Sequence, residues 1–246
     1  MRIITGIYKG RRFDIPRSFK ARPTTDFAKE NIFNVLNSYI DLEGVRALDL
    51  FAGTGSISLE LLSRGCSQVV SVEADRDHAR FIGECVRKLG VTNHQLIRGD
   101  VFRYLKSAQK SFNLERDSAA LNGRRPLNRA AVAIERDSAA LNAAQPQLNR
   151  DAVAIERGSA ALNAAQQPLN LEHSGAAASA FSFIFADPPY ALPNLPDIPD
   201  LVLQSGLLAP GGVFVFEHGK QNDFSSHPCF REHRAYGSVN FSIFTT

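Results

Sequence analysis

Tryptophan is absent from the 246-residue sequence, methionine occurs once and cysteine three times. Cys66, Cys85 and Cys229 lie far apart and show no paired spacing, which argues against a disulfide framework or a zinc site. We interpret all three as small buried or idle side chains and expect no bound metal. No apolar run approaches the roughly 18 to 20 residues that span a bilayer, and the N-terminus lacks the apolar core of a signal peptide. The sequence therefore predicts a cytoplasmic protein with no membrane partner.

The charge is unevenly distributed along the chain, although the net charge is only +3. Residues 1–30 carry eight basic side chains against three acidic ones, which gives this end a local charge of +5. A basic segment of this kind is typical of proteins that bind the phosphate backbone of a nucleic acid. Lys9, Arg11, Arg12 and Arg22 are our candidate nucleic-acid contacts.

A repeat interrupts the sequence, because ERDSAALN at 115–122 recurs at 135–142 and, as ERGSAALN, at 156–163. Residues 114–175 contain no aromatic side chain, so the segment buries too little apolar area to offset its ordering entropy. We interpret it as a mobile or partly helical surface insertion, although a short solenoid stays possible. The predicted organisation is a basic N-terminal extension at 1–24, a catalytic domain formed by 25–113 and 176–246, and the insertion.

Outside the insertion, short apolar runs alternate with helical stretches, which is the pattern of a doubly wound α/β domain with a mostly parallel sheet. Glycines mark two of the helix ends, and Thr25 is the predicted cap of the first helix. Two further runs near the end of the chain predict an antiparallel hairpin at the sheet edge. The predicted strands are 45–51, 68–74, 94–99, 181–186 and 212–217, the helices are 56–64, 76–89 and a shorter one after Val101, and the hairpins are 2–8 with 11–15 and 230–236 with 239–244.

The first predicted strand of the sheet runs into the loop Asp49-Leu50-Phe51-Ala52-Gly53-Thr54-Gly55 and then directly into a helix. Glycines let backbone approach a ligand at the carboxyl edge of the sheet. A dinucleotide fingerprint would need glycine where Ser58 stands, and Asp49 suits a cationic ligand better than a pyrophosphate. S-adenosylmethionine, which carries an ammonium and a sulfonium but no phosphate, is the predicted cofactor.

Acidic residues also follow the next two strands. Glu73 is placed to accept hydrogen bonds from ribose hydroxyls, and Asp100 is placed for an adenine amine with the Val101 backbone alongside. Ala74, which follows Glu73, and Phe51, two residues after Asp49, complete the predicted cofactor contacts. The alternative is that these carboxylates merely cap the helices that follow them.

The fourth strand leads into Asp187-Pro188-Pro189-Tyr190 at the same sheet edge. Two prolines fix the backbone there, so the Asp187 carboxylate and the Pro188 carbonyl form a rigid pair of acceptors. Two acceptors holding the hydrogens of an exocyclic base amine would raise the reactivity of its nitrogen. Tyr190 can stack on the target base, which must be flipped or unpaired to reach it. An ordinary proline turn is the alternative.

These residues resemble the bacterial 16S ribosomal RNA guanine-N2 methyltransferases of the RsmD type. The resemblance rests on MRIITGIYKGRRFDIP, ARPTTDFAKENIFNVL, DLFAGTGSISLELLSRG, VEADRD and DPPY, and Phe27 stands where this pattern leads us to expect a charged residue. It implies a Rossmann-like class I methyltransferase fold with a seven-stranded sheet and an N-terminal β-hairpin extension. It also implies a monomeric cytoplasmic enzyme acting on small-subunit RNA, within a partly assembled particle. Asp49, Gly53, Gly55, Glu73 and Asp100 then fall on cofactor positions, Asp187, Pro188 and Tyr190 on catalytic positions, and Arg11, Arg12 and Arg22 in the RNA-binding extension.

Three other readings remain open from the residues alone. A DNA adenine-N6 methyltransferase would share both motifs, but such enzymes usually carry a separate domain that reads base edges. A catalytically silent RNA-binding module would not need Asp49 and Asp187 intact. A nicotinamide oxidoreductase is disfavoured by Ser58. The motif chemistry by itself does not choose guanine over adenine.

Overall fold

Seven strands form one sheet in a computed structural model that describes residues 1–19, 25–121 and 180–246. The strands are β1 Arg46–Leu50, β2 Gln68–Glu73, β3 His94–Arg98, β4 Phe181–Ala186, β5 Leu208–His218, β6 Phe230–Tyr236 and β7 Val239–Thr245. Their order in the sheet is β3-β2-β1-β4-β5-β7-β6. The first five strands pair in parallel, and β7 pairs antiparallel with both β5 and β6. The predicted sheet and the hairpin at its edge are therefore confirmed.

Helices cover both faces of this sheet, as expected for continuous apolar strands. They are α1 Asp26–Leu36, α2 Ser56–Ser63, α3 Arg76–Leu89, α4 Val101–Leu121 and α5 Ile198–Gln204, with a 3-10 turn at Leu195–Asp197. Successive strand residues alternate between two hydrophobic clusters: Phe183 and Phe185 of β4 pack on one side, whereas Ile184 packs on the other. The first cluster also contains α1, α2 and α3, and the second contains α4 and α5.

The helix predicted to be short after Val101 is in fact 21 residues long. Its buried residues Val101, Tyr104, Leu105 and Ala108 follow helical spacing, so its first turns pack on the sheet. The residues after this buried face contain no proline and include several good helix formers, so nothing ends the helix at position 114. The remainder of the predicted insertion lies outside the described residues, as does Arg22.

The N-terminal segment folds back on itself, but the predicted strands 2–8 and 11–15 do not form. A single antiparallel bridge joins Arg2 to Arg12, with Ile3 N donating to the Arg11 carbonyl at 3.0 Å. Four amides of this segment instead donate to helix α2. Ile7 N donates to the Ser63 carbonyl at 2.8 Å, and the others are those of Ile4, Thr5 and Tyr8. Gly6 adopts φ +86° and lies so close to Ser63 that a Cβ atom would overlap its backbone. Contacts with α2 therefore replace the opposing strand.

The three cysteines are free thiols: Cys66 and Cys85 are buried and Cys229 is half-buried. Burial raises the pKa of the Cys66 thiol to about 12. Within residues 1–19, 25–121 and 180–246, no helix combines the length and the apolarity needed to cross a bilayer. Nor do the His, Cys, Asp and Glu side chains in those ranges gather in a group of three that could hold a metal ion.

Candidate active site

A cavity of about 870 Å³ lies where the parallel strands end. It is lined by every predicted cofactor and catalytic residue except Gly55, so the structure brings together side chains from four strand ends. The predicted residues on its wall are Asp49, Phe51, Gly53, Glu73, Ala74, Asp100, Val101, Asp187, Pro188, Pro189 and Tyr190. Thr25, His78, Glu217, Ser238 and Val239, which the sequence analysis did not single out as site residues, also line it.

The loop between β1 and α2 has a tightly constrained backbone. Phe51 has φ 60°, the only positive φ of a non-glycine residue in the described ranges, and Gly53 and Gly55 have φ 55° and 75°. A Cβ atom on Gly55 would lie 2.9 Å from the Ile82 side chain on α3. Gly55 thus allows α2 to approach α3, and it does not itself line the cavity.

Asp49 is the deepest acidic residue of the cavity, with only 1% of its surface exposed. Its Oδ2 accepts hydrogen bonds from the Ser58 backbone N at 2.9 Å and from the Ser58 hydroxyl. Burial raises the pKa of Asp49 to about 7, with the Glu73 charge adding to the effect and the Ser58 hydrogen bonds opposing it. A cation in the cavity would relieve that cost, because it favours the ionised carboxylate.

A chain of hydrogen bonds extends from Asp49 through the sheet. The Ser58 and Ser71 hydroxyls lie 2.6 Å apart, and the Ser71 hydroxyl lies 2.8 Å from His94 Nε2 on β3. Burial lowers the pKa of His94 to about 4, so its neutral ring can hold this chain in place. Local spacing in the sequence identifies Ser58 only as the position of a missing glycine. It does not show the contact of Ser58 with Asp49, which joins α2 to β1.

The other two acidic strand ends also bind backbone amides. Glu73 accepts from Gly53 N at 2.6 Å and from Asp75 N at 2.7 Å, whereas Asp100 accepts from Arg103 N at 2.9 Å and so caps α4. Asp100 thus caps a helix and also lines the cavity, while Glu73 fixes the glycine loop. Each carboxylate has about four acceptor positions, so these contacts leave room for ligand donors.

The tetrapeptide lines the same cavity at the end of β4, the strand next to β1. Asp187 is half-buried after β4, Pro188 is buried, and Asp187 N donates to the Leu50 carbonyl at 3.3 Å. Tyr190 is 40% exposed, but its hydroxyl donates to Glu217 Oε1 at 2.9 Å. Burial of that hydroxyl, with the Glu217 charge beside it, raises the pKa of Tyr190. The ring thus presents a fixed aromatic surface at the cavity.

The predicted RNA-contacting residues Lys9, Arg11 and Arg12 are exposed and do not line the cavity. Their segment is held on α2 by Glu60, which is fully buried and accepts from Ile4 N at 2.8 Å and from Thr5 N at 3.0 Å.

A buried ion pair accompanies this anchor. Lys29 Nζ lies 3.6 Å from Glu60 and donates to the Arg2 carbonyl at 2.6 Å and to Ser56 at 3.1 Å. Burial lowers the pKa of Lys29, and Glu60 opposes that shift. The basic segment is therefore fixed to the helix that follows the glycine loop.

The strand order, with β7 antiparallel between β5 and β6, and the glycine loop at the carboxyl edge define the Rossmann-like fold of class I S-adenosylmethionine-dependent methyltransferases. The chain belongs to the RsmD-type family, because the family model described as "Conserved hypothetical protein 95" matches residues 1–115 and 125–245.

Individual relatives agree with this family. Over 111 residues the chain is 40% identical to a Bacillus subtilis protein, YlbH, named as a candidate rRNA methyltransferase, covering 45% of this chain and 59% of that one. It is 34% identical over 110 residues to the ribosomal RNA small subunit methyltransferase D of Escherichia coli strain K12, covering 45% and 54%. The chain thus spans a little over half the length of these curated relatives. The solved structure of a hypothetical protein from Thermus thermophilus superimposes with a TM-score of 0.64 at 22% identity, covering 100% of this chain and 99% of that one.

Proposed function

We propose that this protein transfers a methyl group from S-adenosylmethionine to the exocyclic N2 amine of a guanine in the 16S RNA of the small ribosomal subunit. The observation that carries the proposal is the position of Asp187, Pro188 and Tyr190 in the same cavity as Asp49 and Glu73. The names of the E. coli and B. subtilis relatives support ribosomal RNA as the substrate class.

The cavity residues fit the chemistry of the cofactor. Burial makes ionisation of Asp49 costly and so raises its pKa, and a cationic group beside it would lower that cost. Glu73 and Asp100 offer acceptors for hydroxyl and amine donors. Bound there, S-adenosylmethionine would supply a methyl group made electrophilic by its positive sulfur. The constrained loop from Phe51 to Gly53 lines the cavity, and its glycine lets backbone approach a ligand.

The remaining residues act on the target base. The Asp187 carboxylate and the Pro188 carbonyl accept hydrogen bonds from the amine, which directs its nitrogen lone pair toward the methyl donor. After transfer the nitrogen carries one extra proton, which Asp187 can take. Tyr190, held by Glu217, stacks on the flipped base.

Glu217 favours guanine over adenine. It is 4% exposed and lines the cavity, and its Oε1 accepts from the Tyr190 hydroxyl. A carboxylate has about four acceptor positions, so this contact leaves others for a base. The Watson–Crick edge of guanine offers donors at N1 and N2, whereas adenine has an acceptor at N1 that would meet the carboxylate unfavourably. The preference of a hydrogen-bonding site for a matching partner is large, because a mismatch leaves buried polar groups unpaired.

The test is incubation with labelled S-adenosylmethionine and three substrates: small ribosomal particles lacking modification, free 16S RNA and duplex DNA. Mass spectrometry then identifies the methylated nucleosides. We expect N2-methylguanosine from the particles, and N6-methyladenine from DNA would overturn the proposal in favour of the adenine enzyme. Cofactor binding without product from any substrate would favour a silent RNA-binding module.

An Asp187→Ala variant tests the catalytic assignment. We expect turnover to fall by at least about a hundredfold with nearly unchanged cofactor affinity, because Asp187 contacts the target amine rather than the cofactor. Asp197→Ala, an exposed aspartate outside the cavity, is the matched control. Equal loss of turnover and of cofactor affinity in Asp187→Ala would contradict the assignment.

A further inference from the structure

The strand order divides the cavity into two halves. Asp100, Glu73 and Asp49 follow or end β3, β2 and β1, which lie on one side of β4. Glu217 of β5 and Ser238, just before β7, line the cavity on the other side. Asp187, at the end of β4, lies between the two groups. Because the proposed function assigns the acidic half to the cofactor, the half at β5 and β7 is left for the substrate.

Two aromatic rings lie near this half of the cavity. Phe27 and Tyr236 have ring centroids 6.2 Å apart at an interplanar angle of 88°. Neither ring lines the cavity, but Phe27 follows Thr25 by two residues and Tyr236 precedes Ser238 by two, and both Thr25 and Ser238 line it. The pair thus lies close to the cavity and is contributed by two chain segments that are distant in sequence.

Tyr236 packs on the protein interior, whereas Phe27 faces solvent. The Tyr236 ring packs on the buried Phe241 at a centroid distance of 6.1 Å, whereas Phe27 is 66% exposed. A T-shaped contact with Tyr236 leaves much of the Phe27 ring available. A single exposed apolar side chain is ordinary on a protein surface. An exposed ring that is held by an aromatic neighbour close to a cavity is a preformed stacking surface.

The basic N-terminal segment lies beside the helix start that carries Phe27. Asp26, adjacent to Phe27, binds Arg2 Nε at 3.0 Å, and the backbone of Arg2 bridges to that of Arg12. Asp26 neutralises Arg2, whereas Arg11 and Arg12 of the same segment are exposed. An exposed ring beside a basic segment matches a nucleotide, which combines a flat base with a phosphate, better than it matches an apolar protein surface.

We propose that Phe27, supported by Tyr236, is a stacking site for an unpaired nucleobase next to the target nucleotide. This inference rests on the proposed function, because it assumes that RNA lies across the cavity. Holding a neighbouring base would keep the strand open while the target base is in the cavity. Base stacking of this kind changes affinity by roughly 5- to 150-fold on alanine substitution.

The first test compares substitutions at Phe27 with unmodified small ribosomal particles as substrate. We expect Phe27→Ala to raise KM for the particles by roughly tenfold or more, within the range for loss of a stacked base, with unchanged cofactor affinity. Phe27→Tyr should restore KM, whereas Phe27→Leu should not, because stacking needs a flat ring. Leu114→Ala, at a residue 60% exposed on α4, is the matched control. Wild-type KM in Phe27→Ala, or full rescue by leucine, would overturn the stacking site.

The absence of tryptophan from the sequence permits a direct probe. Phe27→Trp gives a single-tryptophan protein whose fluorescence should be quenched when free 16S RNA is added, whereas Leu114→Trp should show no comparable quenching. Equal quenching of the two would count against stacking at Phe27.

Wild-type protein that methylates no RNA would overturn the proposed function together with this inference. Normal wild-type turnover with an unaffected Phe27→Ala would overturn the stacking site alone.

Discussion

Replacement of Asp49 by asparagine should stabilise the protein at alkaline pH while weakening cofactor binding. The folded-state pKa of Asp49 is raised by burial from 3.8 to about 7, so the folded protein binds this proton more tightly than the unfolded chain. The stability that Asp49 contributes is therefore present below pH 3.8 and is lost as pH rises to about 7. A shift of about three units at ~1.4 kcal/mol each amounts to a cost on the order of 4 kcal/mol for the ionised carboxylate.

Asparagine keeps the shape of the side chain and an acceptor oxygen for Ser58, but it carries no charge. We therefore expect Asp49→Asn to be more stable than the wild type by up to ~4 kcal/mol at about pH 8 and to differ little near pH 4. Urea unfolding at both pH values measures this difference, with the exposed Asp197→Asn as control. Equal or lower stability of Asp49→Asn at the higher pH would refute the argument from burial.

The same carboxylate predicts the pH dependence of cofactor affinity. Below about pH 7 a bound cation must displace the proton of Asp49, so wild-type affinity should fall by up to about tenfold per unit between roughly pH 7 and pH 5. Asp49→Asn should bind weakly with a flatter profile over this range. Calorimetric titration measures both, and parallel profiles for the two proteins would remove Asp49 from the cation site.

Two further predictions concern the N-terminal segment. Glu60→Gln should lower the free energy of unfolding by about 3 to 5 kcal/mol in urea titrations, because it leaves the buried Lys29 without its carboxylate, whereas the exposed Glu43→Gln should change little. Joint substitution of Arg11 and Arg12 by alanine should flatten the dependence of log affinity for 16S RNA on log salt by about one to two units. An unchanged slope, measured beside a paired alanine substitution in the last turn of α3, would remove these arginines from the RNA interface.

Those parts of the fold that depend on local sequence could be predicted. The runs that form β1, β2 and β4 are apolar on both faces, and Gly90 ends α3 in the left-handed conformation. Two predictions were wrong for different reasons. The N-terminal strands do not form because Ile4 N and Thr5 N bind Glu60 of α2, 56 and 55 residues away. Helix α4 continues past the predicted start of the insertion because no residue near position 114 ends it.

In the candidate site, too, some residues could be predicted from local sequence, whereas contacts between distant elements could not. The acidic strand ends and the tetrapeptide were visible because parallel strands bring their carboxyl ends to one edge. The contact of Tyr190 with Glu217 and the pairing of Phe27 with Tyr236 link elements far apart in sequence. Glu217 did carry a signal, since it is a further acidic residue at the end of an apolar strand, whereas nothing local marks Phe27 as part of a pair.

Helix α2 connects the cavity to the basic N-terminal segment. All eight of its residues are buried. Ser58 binds Asp49 in the cavity wall, while Glu60 and Ser63 bind the N-terminal segment. A closely packed helix shared in this way transmits strain from one contact to the other, because packed interiors have low compressibility. Substitution of Glu60 should therefore weaken cofactor and RNA binding together, whereas loss of the exposed Arg11 and Arg12 should weaken RNA binding alone.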